Sequence, residues 1–479
     1  MKGGGMKGGG VKRLAALAAV LALPLVALGK PATAAAGFTP PPIKHVWVIE
    51  LENKSFDQAF VSNSNTYLYK TLPSQGKLLR QYYGTGHFSL DNYISQLSGQ
   101  APTIDTQADC QTYTDVVTAA AIPLDSSGQV TGQGCVYPAN VKTLADQLEE
   151  KGVTWRGYMQ DMGLDPTREE ALCGRPVYQG KPIDPSPTTL VPDPRAGQDT
   201  TQSATAKDQY AARHNPFLYF HSIIDDEASC KSHIVPLLKG KTAATDLATD
   251  LKSIATTRNF NFITPNLCDD AHDATCAGKN YGGKDNQGGL FAADLFLKGI
   301  VPMIQASPAY KKDGMIIVTL DESGDIGTPA GATACCGEPS GPNTPLPGQA
   351  GPGGGRIGTI VLSPRFVKPG TISDVPYNHY SFLRSMEDLF RVGATKAIPG
   401  SDNLGHLGYA GMAGLAPFGP DVYDQTVAAT PVKKPVAKPV VATPAAPTRG
   451  LPVTGLGVLL PGTALLLLGA VLMLRRRLS

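Results

Sequence analysis

The sequence has no strong excess of charge of either sign. Its 42 Lys and Arg residues nearly balance its 40 Asp and Glu residues, which leaves a formal net charge of +2. A surface that attracts nucleic acid or another polyanion needs clustered positive charge. We therefore expect no nucleic-acid partner.

The eight cysteines include no C-x-x-C spacing, and this absence argues against a zinc site built on cysteine. Their number is even, and all of them lie between residues 37 and 424. Disulfides form in proteins that leave the reducing cytosol. We predict disulfides, with Cys110–Cys135 and Cys268–Cys276 as candidate local pairs, and the sequence leaves the full connectivity open.

The N-terminal segment lacks the polar faces of a buried amphipathic helix. An uncharged apolar run over 14–29 is followed by small residues at 32–36 and preceded by Lys2, Lys7, Lys12 and Arg13. A basic start, a short apolar centre and an A-x-A end describe a secretory signal peptide. We predict one over residues 1–36, with cleavage near Ala34 or Ala36.

The C-terminal end has three parts in a fixed order. The pentapeptide LPVTG at 451–455 precedes an uncharged run, 456–474, and three arginines at 475–477. The run is long enough to cross a bilayer, and the arginines hold its end on the cytoplasmic side; a plain membrane helix is the alternative. The order resembles the sorting signal of Gram-positive surface proteins, which implies a sortase that joins Thr454 to the cell wall and membrane contact through 455–474 before sorting.

Residues 425–450 contain no acidic residue and consist almost entirely of Ala, Pro, Val, Thr and Lys. Such a segment cannot bury a core and is typical of an extended spacer. We predict a wall-spanning linker here, one catalytic domain over 37–424 and a sorting signal over 451–479. The protein is then secreted and anchored to the cell wall or cell surface.

Short apolar runs predict strands that are buried on both faces, and they cover residues 45–50, 260–263, 315–320 and 357–362. Apolar residues at helical spacing recur over 141–150, 290–304 and 381–391. The alternation predicts an α/β fold with a mainly parallel central sheet flanked by helices. Each run ends in a polar cluster, and ligands of such sheets gather at the carboxyl ends of the strands. The Gly- and Pro-rich stretch 324–355 predicts a long loop near that edge.

Two pairs of polar residues, which include three carboxylates, follow predicted strands directly. Asp321 and Glu322 end one run, and Glu52 with Asn53 ends another. Adjacent carboxylates after a buried strand are costly unless they are solvated, paired or bound to a cation. A solvated turn is the alternative for Asp321 and Glu322 alone. Together the two pairs offer an oxygen-rich shell, and we expect one divalent metal ion whose identity the sequence leaves open.

Ser89 lies in a glycine-containing turn just before a predicted helix that starts near Asn92. The N-terminus of a helix presents amide groups and a positive dipole end, which suit a phosphate. A simple helix cap is the alternative role for this serine.

Histidine is scarce, with eight in the chain. His272 stands beside Asp269, Asp270 and Asp273, a context that suits a proton carrier or a ligand; a surface histidine in an acidic turn is the alternative. His379 opens another predicted helix, where a packing role is the alternative.

Motifs along the chain resemble the bacterial phosphoesterase family, which unites secreted acid phosphatases and non-haemolytic phospholipases C within the alkaline phosphatase superfamily. They are HVWVIELENKSFD (45–57), GHFSLDNYISQLSG (86–99), NFITPNLCDDAHD (261–273), IIVTLDES (316–323), GRIGTIVLSP (355–364) and YNHYSFLRSMEDLF (377–390). The resemblance covers residues 43 to 421 and implies an alkaline-phosphatase-like sandwich that hydrolyses phosphate esters.

The resemblance also implies roles for individual residues. The metal ligands would be Glu52, Asn53, Asp321 and Glu322; the catalytic groups Ser89, His87 and His272; and the substrate-binding groups Asn92, Asp273 and His379. Ser89 would be the nucleophile, His87 and Asn92 would contact the phosphate, and His272 would protonate the leaving group. The chain departs from the family pattern at Phe88 and Asp91, where prolines are usual, and at Glu322, where an aspartate often stands.

These features together predict a metal-assisted phosphomonoesterase that acts on a phosphate-ester substrate through a phosphoserine intermediate. A phospholipase C-type phosphodiesterase is one alternative, and the GHFSLDNY element and the lack of an evident lipid-binding domain speak against it. A catalytically inactive, wall-attached binding protein is the other, and the retained polar residues speak against that.

Overall fold

The computed structural model of the protein describes residues 38–61, 67–117, 124–185, 199–238, 245–393, 402 and 404–424. The predicted signal peptide (1–36), linker (425–450) and sorting signal (451–479) lie outside the described residues, and they remain predictions.

The described residues form strands and helices in alternation. The strands are β1 (His45–Leu51), β2 (Lys77–Leu79), β3 (Tyr82–Tyr83), β4 (Trp155–Met159), β5 (Val177–Tyr178), β6 (Lys181–Pro182), β7 (Ile234–Pro236), β8 (Phe260–Thr264), β9 (Gly314–Leu320), β10 (Thr359–Leu362), β11 (Thr371–Ser373) and β12 (Tyr377–Asn378). The helices are α1 (Phe56–Phe60), α2 (Leu72–Gln75), α3 (Ser89–Ser98), α4 (Leu144–Glu150), α5 (His221–Ile224), α6 (Glu227–His233), α7 (Leu247–Asp250), α8 (Gly289–Ala306), α9 (Pro308–Asp313) and α10 (His379–Phe390). Short 3-10 turns include Ala212–His214.

The central sheet has eight strands in the order β11-β2-β10-β9-β1-β8-β4-β7. The strands from β9 to β7 are all parallel to one another, and every residue of β1, β8 and β9 is buried. The predicted mainly parallel sheet flanked by helices is therefore confirmed. Near-continuous apolar runs belong on such strands because helices cover both faces.

Helices cover opposite faces of β1 and its neighbours. Trp47 packs against Tyr310 of α9 with ring centroids 6.2 Å apart, and Tyr93 of α3 packs against Phe262 of β8 at 6.0 Å. Phe262 is in register with Val48, the residue after Trp47. Because successive side chains of a strand point to opposite faces, α3 and α9 lie on opposite sides of the sheet.

One of the predicted strands is antiparallel to its neighbour, and this changes where the polar cluster that follows it lies. The run 357–362 forms β10, which is antiparallel to β9 and pairs Leu362 with Ile316. Ser363, just beyond β10, therefore lies at the amino end of β9, where its hydroxyl donates to the carbonyl of Gly314 at 2.7 Å. This cluster does not join the others at the carboxyl edge of the sheet.

All eight cysteines form disulfides, which are Cys110–Cys135, Cys173–Cys230, Cys268–Cys276 and Cys335–Cys336. Both predicted local pairs are confirmed. The predicted long loop is also present, because the chain between β9 and β10 forms neither helix nor strand.

Among the described residues, one helix, α8, is long and apolar enough to cross a membrane by length and composition. Half of it is buried inside the fold, which is typical of a helix that contributes to a core.

Candidate active site

The carboxyl ends of three adjacent parallel strands bring buried carboxylates together. β1 and β9 pair as far as Leu51 and Leu320, so Glu52 and Asp321 follow at the same level. The Asp321 amide donates to the carbonyl of Leu51 at 2.9 Å, and the Glu52 amide donates to the carbonyl of Asp270, beyond β8, at 2.7 Å. Glu52, Asp270 and Asp321, hereafter the carboxylate cluster, are all buried.

Ser89 is the first residue of α3, and its Oγ donates to Oε2 of Glu52 at 2.7 Å. One turn further along the helix, the hydroxyl of Tyr93 donates to Oε1 of Glu52. The N-cap position belongs to Phe88, and no side chain caps the helix there. Ser89 is therefore not a helix cap, and its hydroxyl is directed at the carboxylate cluster.

Asn92 holds the loop that precedes Ser89. Its Oδ1 accepts from the amides of Thr85 at 2.8 Å and Gly86 at 3.1 Å, and its Nδ2 donates to the carbonyls of Gly86 and Phe88, both at 3.0 Å. All polar atoms of the side chain are thus engaged within the protein. Asn92 therefore positions the serine loop, and its contact with the substrate phosphate stays a prediction.

His87 is fully buried and both of its ring nitrogens are engaged. Nδ1 contacts Oε2 of Glu322, and Nε2 lies 2.9 Å from the carbonyl oxygen of Gly331 in the β9–β10 loop. The other oxygen of Glu322 accepts from Nδ2 of Asn53 at 2.7 Å. The structure therefore places His87 as a support for Glu322, and its contact with the phosphate stays a prediction. Glu322, predicted as a ligand, has protein partners on both carboxylate oxygens.

Several buried polar atoms at this edge have no hydrogen-bond partner among the described residues, and they are Oδ1 of Asn53, Oδ2 of Asp270, Oδ2 of Asp321 and Nε2 of His214. Oδ1 of Asp321 accepts from the amides of Asn53 at 2.8 Å and Glu322 at 2.6 Å, which fixes the carboxylate. In the described part of the chain, no group of three or more His, Cys, Asp or Glu side chains stands in coordination geometry. The unpartnered atoms are nevertheless oxygen and imidazole donors, the types that hard and borderline divalent cations accept.

The carboxylate cluster has strongly perturbed acidities. Burial, followed by the neighbouring charge of Asp321, raises the pKa of Glu52 well above its usual value. Burial likewise raises the pKa of Asp321, and it raises the pKa of Asp270 to about 6. Like charges held this close need a compensating cation or a proton. The cluster therefore has the electrostatics of a cation or proton site.

His214 belongs to the same site, although nothing in its sequence context indicated it. Its ring stacks on Tyr93 with centroids 5.5 Å apart. Nε2 lies 3.4 Å from Oε1 of Glu52, and Nδ1 lies 3.9 Å from Oδ2 of Asp270. Burial lowers the pKa of His214 well below its usual value, so it faces the carboxylates as a neutral imidazole. The scarcity of histidine was the one signal that pointed toward it.

His379, the first residue of α10, lies beneath the site. Nε2 is 2.6 Å from the carbonyl oxygen of Asp321, and Nδ1 is 3.1 Å from Nε2 of Gln96 and 3.3 Å from the hydroxyl of Tyr82. It is fully buried, and burial lowers its pKa to about 4. His379 thus supports the backbone of Asp321, and its contact with the substrate stays a prediction. This is the packing role that the sequence left open.

His272 lies on the open side of the carboxylate cluster, with its side chain 44% exposed. Its amide donates to Oδ1 of Asp270 at 2.8 Å, and its Nδ1 is 2.7 Å from Oδ1 of Asp273. Lys54 is a further cation that sequence reasoning missed, and its Nζ donates to the carbonyls of Asn53 and His272, both at 3.0 Å. The imidazole is thus held in place while it remains accessible to a bound molecule.

Residues 61–393 match the model of the Phosphoesterase family. Over 71% of its length the chain is 26% identical to a phosphate-repressible acid phosphatase of Penicillium chrysogenum, covering 57% of that protein. Over 58% of its length it is 24% identical to an acid phosphatase of Aspergillus fumigatus, covering 44% of that protein. The chain thus spans about half the length of these curated relatives. A solved alkaline phosphatase superfamily protein from Vibrio parahaemolyticus is 13% identical, with a TM-score of 0.38, over 75% of this chain and 68% of that one.

Proposed function

Because this chain belongs to the Phosphoesterase family, we propose that it hydrolyses phosphate esters, acting as a phosphomonoesterase through a phosphoserine intermediate at Ser89. One observation carries the proposal. A serine hydroxyl at the start of a helix donates to a buried carboxylate, Glu52, at 2.7 Å, at the carboxyl edge of the parallel sheet. The names of the relatives, which are acid phosphatases, support our choice of a phosphomonoesterase over a phosphodiesterase.

In the first step, Oγ of Ser89 attacks phosphorus and the bond from phosphorus to the leaving oxygen breaks. Glu52 accepts the proton of Ser89 through the hydrogen bond that already joins them. Tyr93 holds the other carboxylate oxygen, so Glu52 stays oriented toward the serine. In the second step, water attacks the phosphoserine, the bond from phosphorus to Oγ breaks, Glu52 returns its proton to Oγ, and inorganic phosphate is released.

His272 is proposed as the group that protonates the leaving oxygen. Asp273 contacts Nδ1 of this histidine, which leaves Nε2 to exchange a proton with the substrate. The side chain is exposed and next to the carboxylate cluster, where a leaving group departs into solvent. After the first step the neutral imidazole is available as the base that activates water.

We propose that one divalent ion binds at Asn53, Asp321 and Glu52, whose unpartnered or crowded oxygens suit such a cation. When bound, the ion supplies positive charge that favours the serine alkoxide and offsets the charge of the phosphate. Calcium, magnesium, manganese and zinc are all admissible with this donor set. His379 supports one ligand, Asp321, through its backbone carbonyl. His87 supports Glu322, which follows Asp321 in sequence and has protein partners on both carboxylate oxygens.

The test is hydrolysis of p-nitrophenyl phosphate and of bis(p-nitrophenyl) phosphate, each with and without a strong chelator. A phosphomonoesterase turns over the monoester preferentially and loses activity to the chelator. Preference for the diester would indicate the phospholipase C-type alternative. Binding of phosphate without turnover of either substrate would indicate an inactive binding protein.

We further propose that the protein is secreted and attached to the cell wall. Four disulfides among the described residues fit an extracellular location, and the LPVTG sequence at 451–455 fits sortase-dependent attachment. The expected result is release from cells by wall-digesting enzymes only. Extraction of the full-length protein by detergent alone would instead make residues 455–474 a plain membrane helix.

A further inference from the structure

Arg213 lies directly before His214 in a 3-10 turn at the edge of the site. Its Nε is 3.6 Å from Oδ2 of Asp109, and its Nη1 donates to the carbonyl of Gln202 at 2.9 Å and to Oε1 of the same residue at 3.3 Å. Its remaining nitrogen, Nη2, has no hydrogen-bond partner among the described residues. The side chain is 15% exposed, so the guanidinium is held in place and still reaches solvent.

Asp109 links this guanidinium to the proposed nucleophile. Its Oδ1 accepts from the amide of Leu90 at 3.1 Å, and Leu90 follows Ser89 at the start of α3. One carboxylate thus bridges the N-terminus of the helix and Arg213. The arginine is thus linked through Asp109 to the residue that follows the serine.

Arg213 also acts electrostatically on the carboxylate cluster. Burial raises the pKa of Asp109 and of Asp270, and the positive charge of Arg213 offsets part of that rise in both carboxylates. The charge of the arginine therefore acts both at the start of α3, which Asp109 contacts, and on Asp270 of the carboxylate cluster.

A phosphate ester that approaches Ser89 meets several carboxylates and needs positive charge to offset its own. Lys54 is one nearby cation, but its ammonium already donates to the carbonyls of Asn53 and His272. Arg213 has the unpartnered Nη2, whose two N–H groups can each donate to a phosphate oxygen. Of the two, Arg213 is the better placed to bind the substrate.

We propose that Arg213 binds non-bridging oxygens of the substrate's phosphate group, and that Asp109 and Gln202 position it for this role. The proposal rests on the proposed function and deepens it, because it names the residue that recognises the phosphate. It assigns to Asp109 a positioning role, since that side chain acts through Arg213 and the amide of Leu90.

The test compares R213M and R213K with wild type, and R175M is the matched control. Arg175 is 18% exposed and pairs with Glu170 at 2.6 Å, so it is similar in burial and pairing. For each protein we would measure KM and kcat with p-nitrophenyl phosphate, the inhibition constant of inorganic phosphate, phosphate binding by calorimetry, and the thermal midpoint.

In R213M we expect KM and the phosphate inhibition constant to rise about tenfold to a hundredfold, the range for loss of hydrogen bonds to a charged group. R213K keeps the positive charge and loses the guanidinium, so its KM and phosphate inhibition constant should lie between those of wild type and R213M. R175M should match wild type in both constants. In a third variant, R213A, added guanidinium ions should restore part of the lost affinity for phosphate. A merely structural arginine would not allow this restoration.

The inference would be overturned if R213M or R213K kept the wild-type affinity for phosphate and only the thermal midpoint fell. Arg213 would then be a structural partner of Asp109. If R213M fails to fold, R213K decides. Calorimetry distinguishes failure of this inference from failure of the proposed function, because it measures phosphate binding without requiring turnover. A wild-type protein that hydrolyses no ester can still be compared with its variants for binding of inorganic phosphate.

Discussion

Replacement of Ser89 by alanine isolates the proposed nucleophile with little structural disturbance. The substitution removes one oxygen whose hydrogen bond goes to Oε2 of Glu52 at 2.7 Å. Glu52 keeps its bond from the Tyr93 hydroxyl at Oε1. Loss of one partner from a buried carboxylate costs about 1–3 kcal/mol, and the alanine leaves almost no cavity. In a folded region of this size, we expect the thermal midpoint to fall by only a few °C, roughly.

The effect on turnover should be far larger than the effect on stability. Without Oγ no phosphoserine forms, and loss of a nucleophile typically lowers kcat by about 10⁴-fold to 10⁶-fold. The assay is turnover of p-nitrophenyl phosphate, together with acid trapping of the phosphoenzyme and mapping of the labelled peptide. Wild type should carry the label on Ser89, and S89A should carry none.

Ser98→Ala is the matched control, because Ser98 is a buried serine of the same helix whose hydroxyl donates to the carbonyl of Ile94 at 2.8 Å. It should lose a similar small amount of stability and keep its activity. If S89A retained more than about a tenth of wild-type kcat, far above the loss expected for a nucleophile, the reasoning would be refuted. Ser89 would then be a hydrogen-bond partner of Glu52, and water would be the direct nucleophile.

Other substitutions test the remaining parts of the site and the fold. D321N should lower metal affinity at least about tenfold and activity with it, measured by elemental analysis and turnover; normal activity without metal would contradict the ion's role. H272Q should lower turnover of alkyl phosphates by about 10²–10⁴-fold. It should lower turnover of p-nitrophenyl phosphate much less, because the p-nitrophenolate leaving group needs no proton. Equal losses of turnover with both substrates would contradict the acid role. His221 has a pKa raised to about 9, chiefly by its hydrogen bond to Asp115 and, against burial, also by that to Asp225. The unfolded pKa is lower, so this stabilisation is complete below about pH 6.5 and disappears as the pH rises through about 9. Thermal midpoints of H221Q and wild type should therefore differ most near pH 6 and converge near pH 9.5; a difference independent of pH would contradict the ion pairs.

The sheet and one edge of the site follow from local sequence patterns. The runs that became β1, β8 and β9 are buried on both faces, as continuous apolar strands must be. Because parallel strands end at one edge, the polar residues after them meet there, and this places Glu52, Asp270 and Asp321 together. The cysteine pairs that are close in sequence were also predictable, because a short loop leaves few alternative partners.

The direction of β10 was not predictable in the same way. An apolar run buried on both faces has the same pattern whichever way it lies in the sheet, and nothing in 357–362 marks it as antiparallel. The register that pairs Leu362 with Ile316 is set by the long β9–β10 connection and by β2 on its other side. Ser363 consequently lies at the opposite edge from the candidate site.

The histidines show why a motif gives the position of a residue but not the direction of its polar atoms. His87 and His379 both lie in segments that resemble the family's motifs, yet the nitrogens of one hold Glu322 and Gly331, and Nε2 of the other holds the carbonyl of Asp321. His214 lies in no such segment and still has an unpartnered nitrogen within 3.4 Å of Glu52. Its placement depends on the turn Ala212–His214 packing against α3, a contact between parts of the chain that are distant in sequence.

Arg213 comes to the site on the same turn, so the residue proposed to bind phosphate and the imidazole that faces the carboxylates enter together. Neither can be assigned from the residues beside it, because the partners that define each role are contributed by the segments that follow β1, β8 and α3.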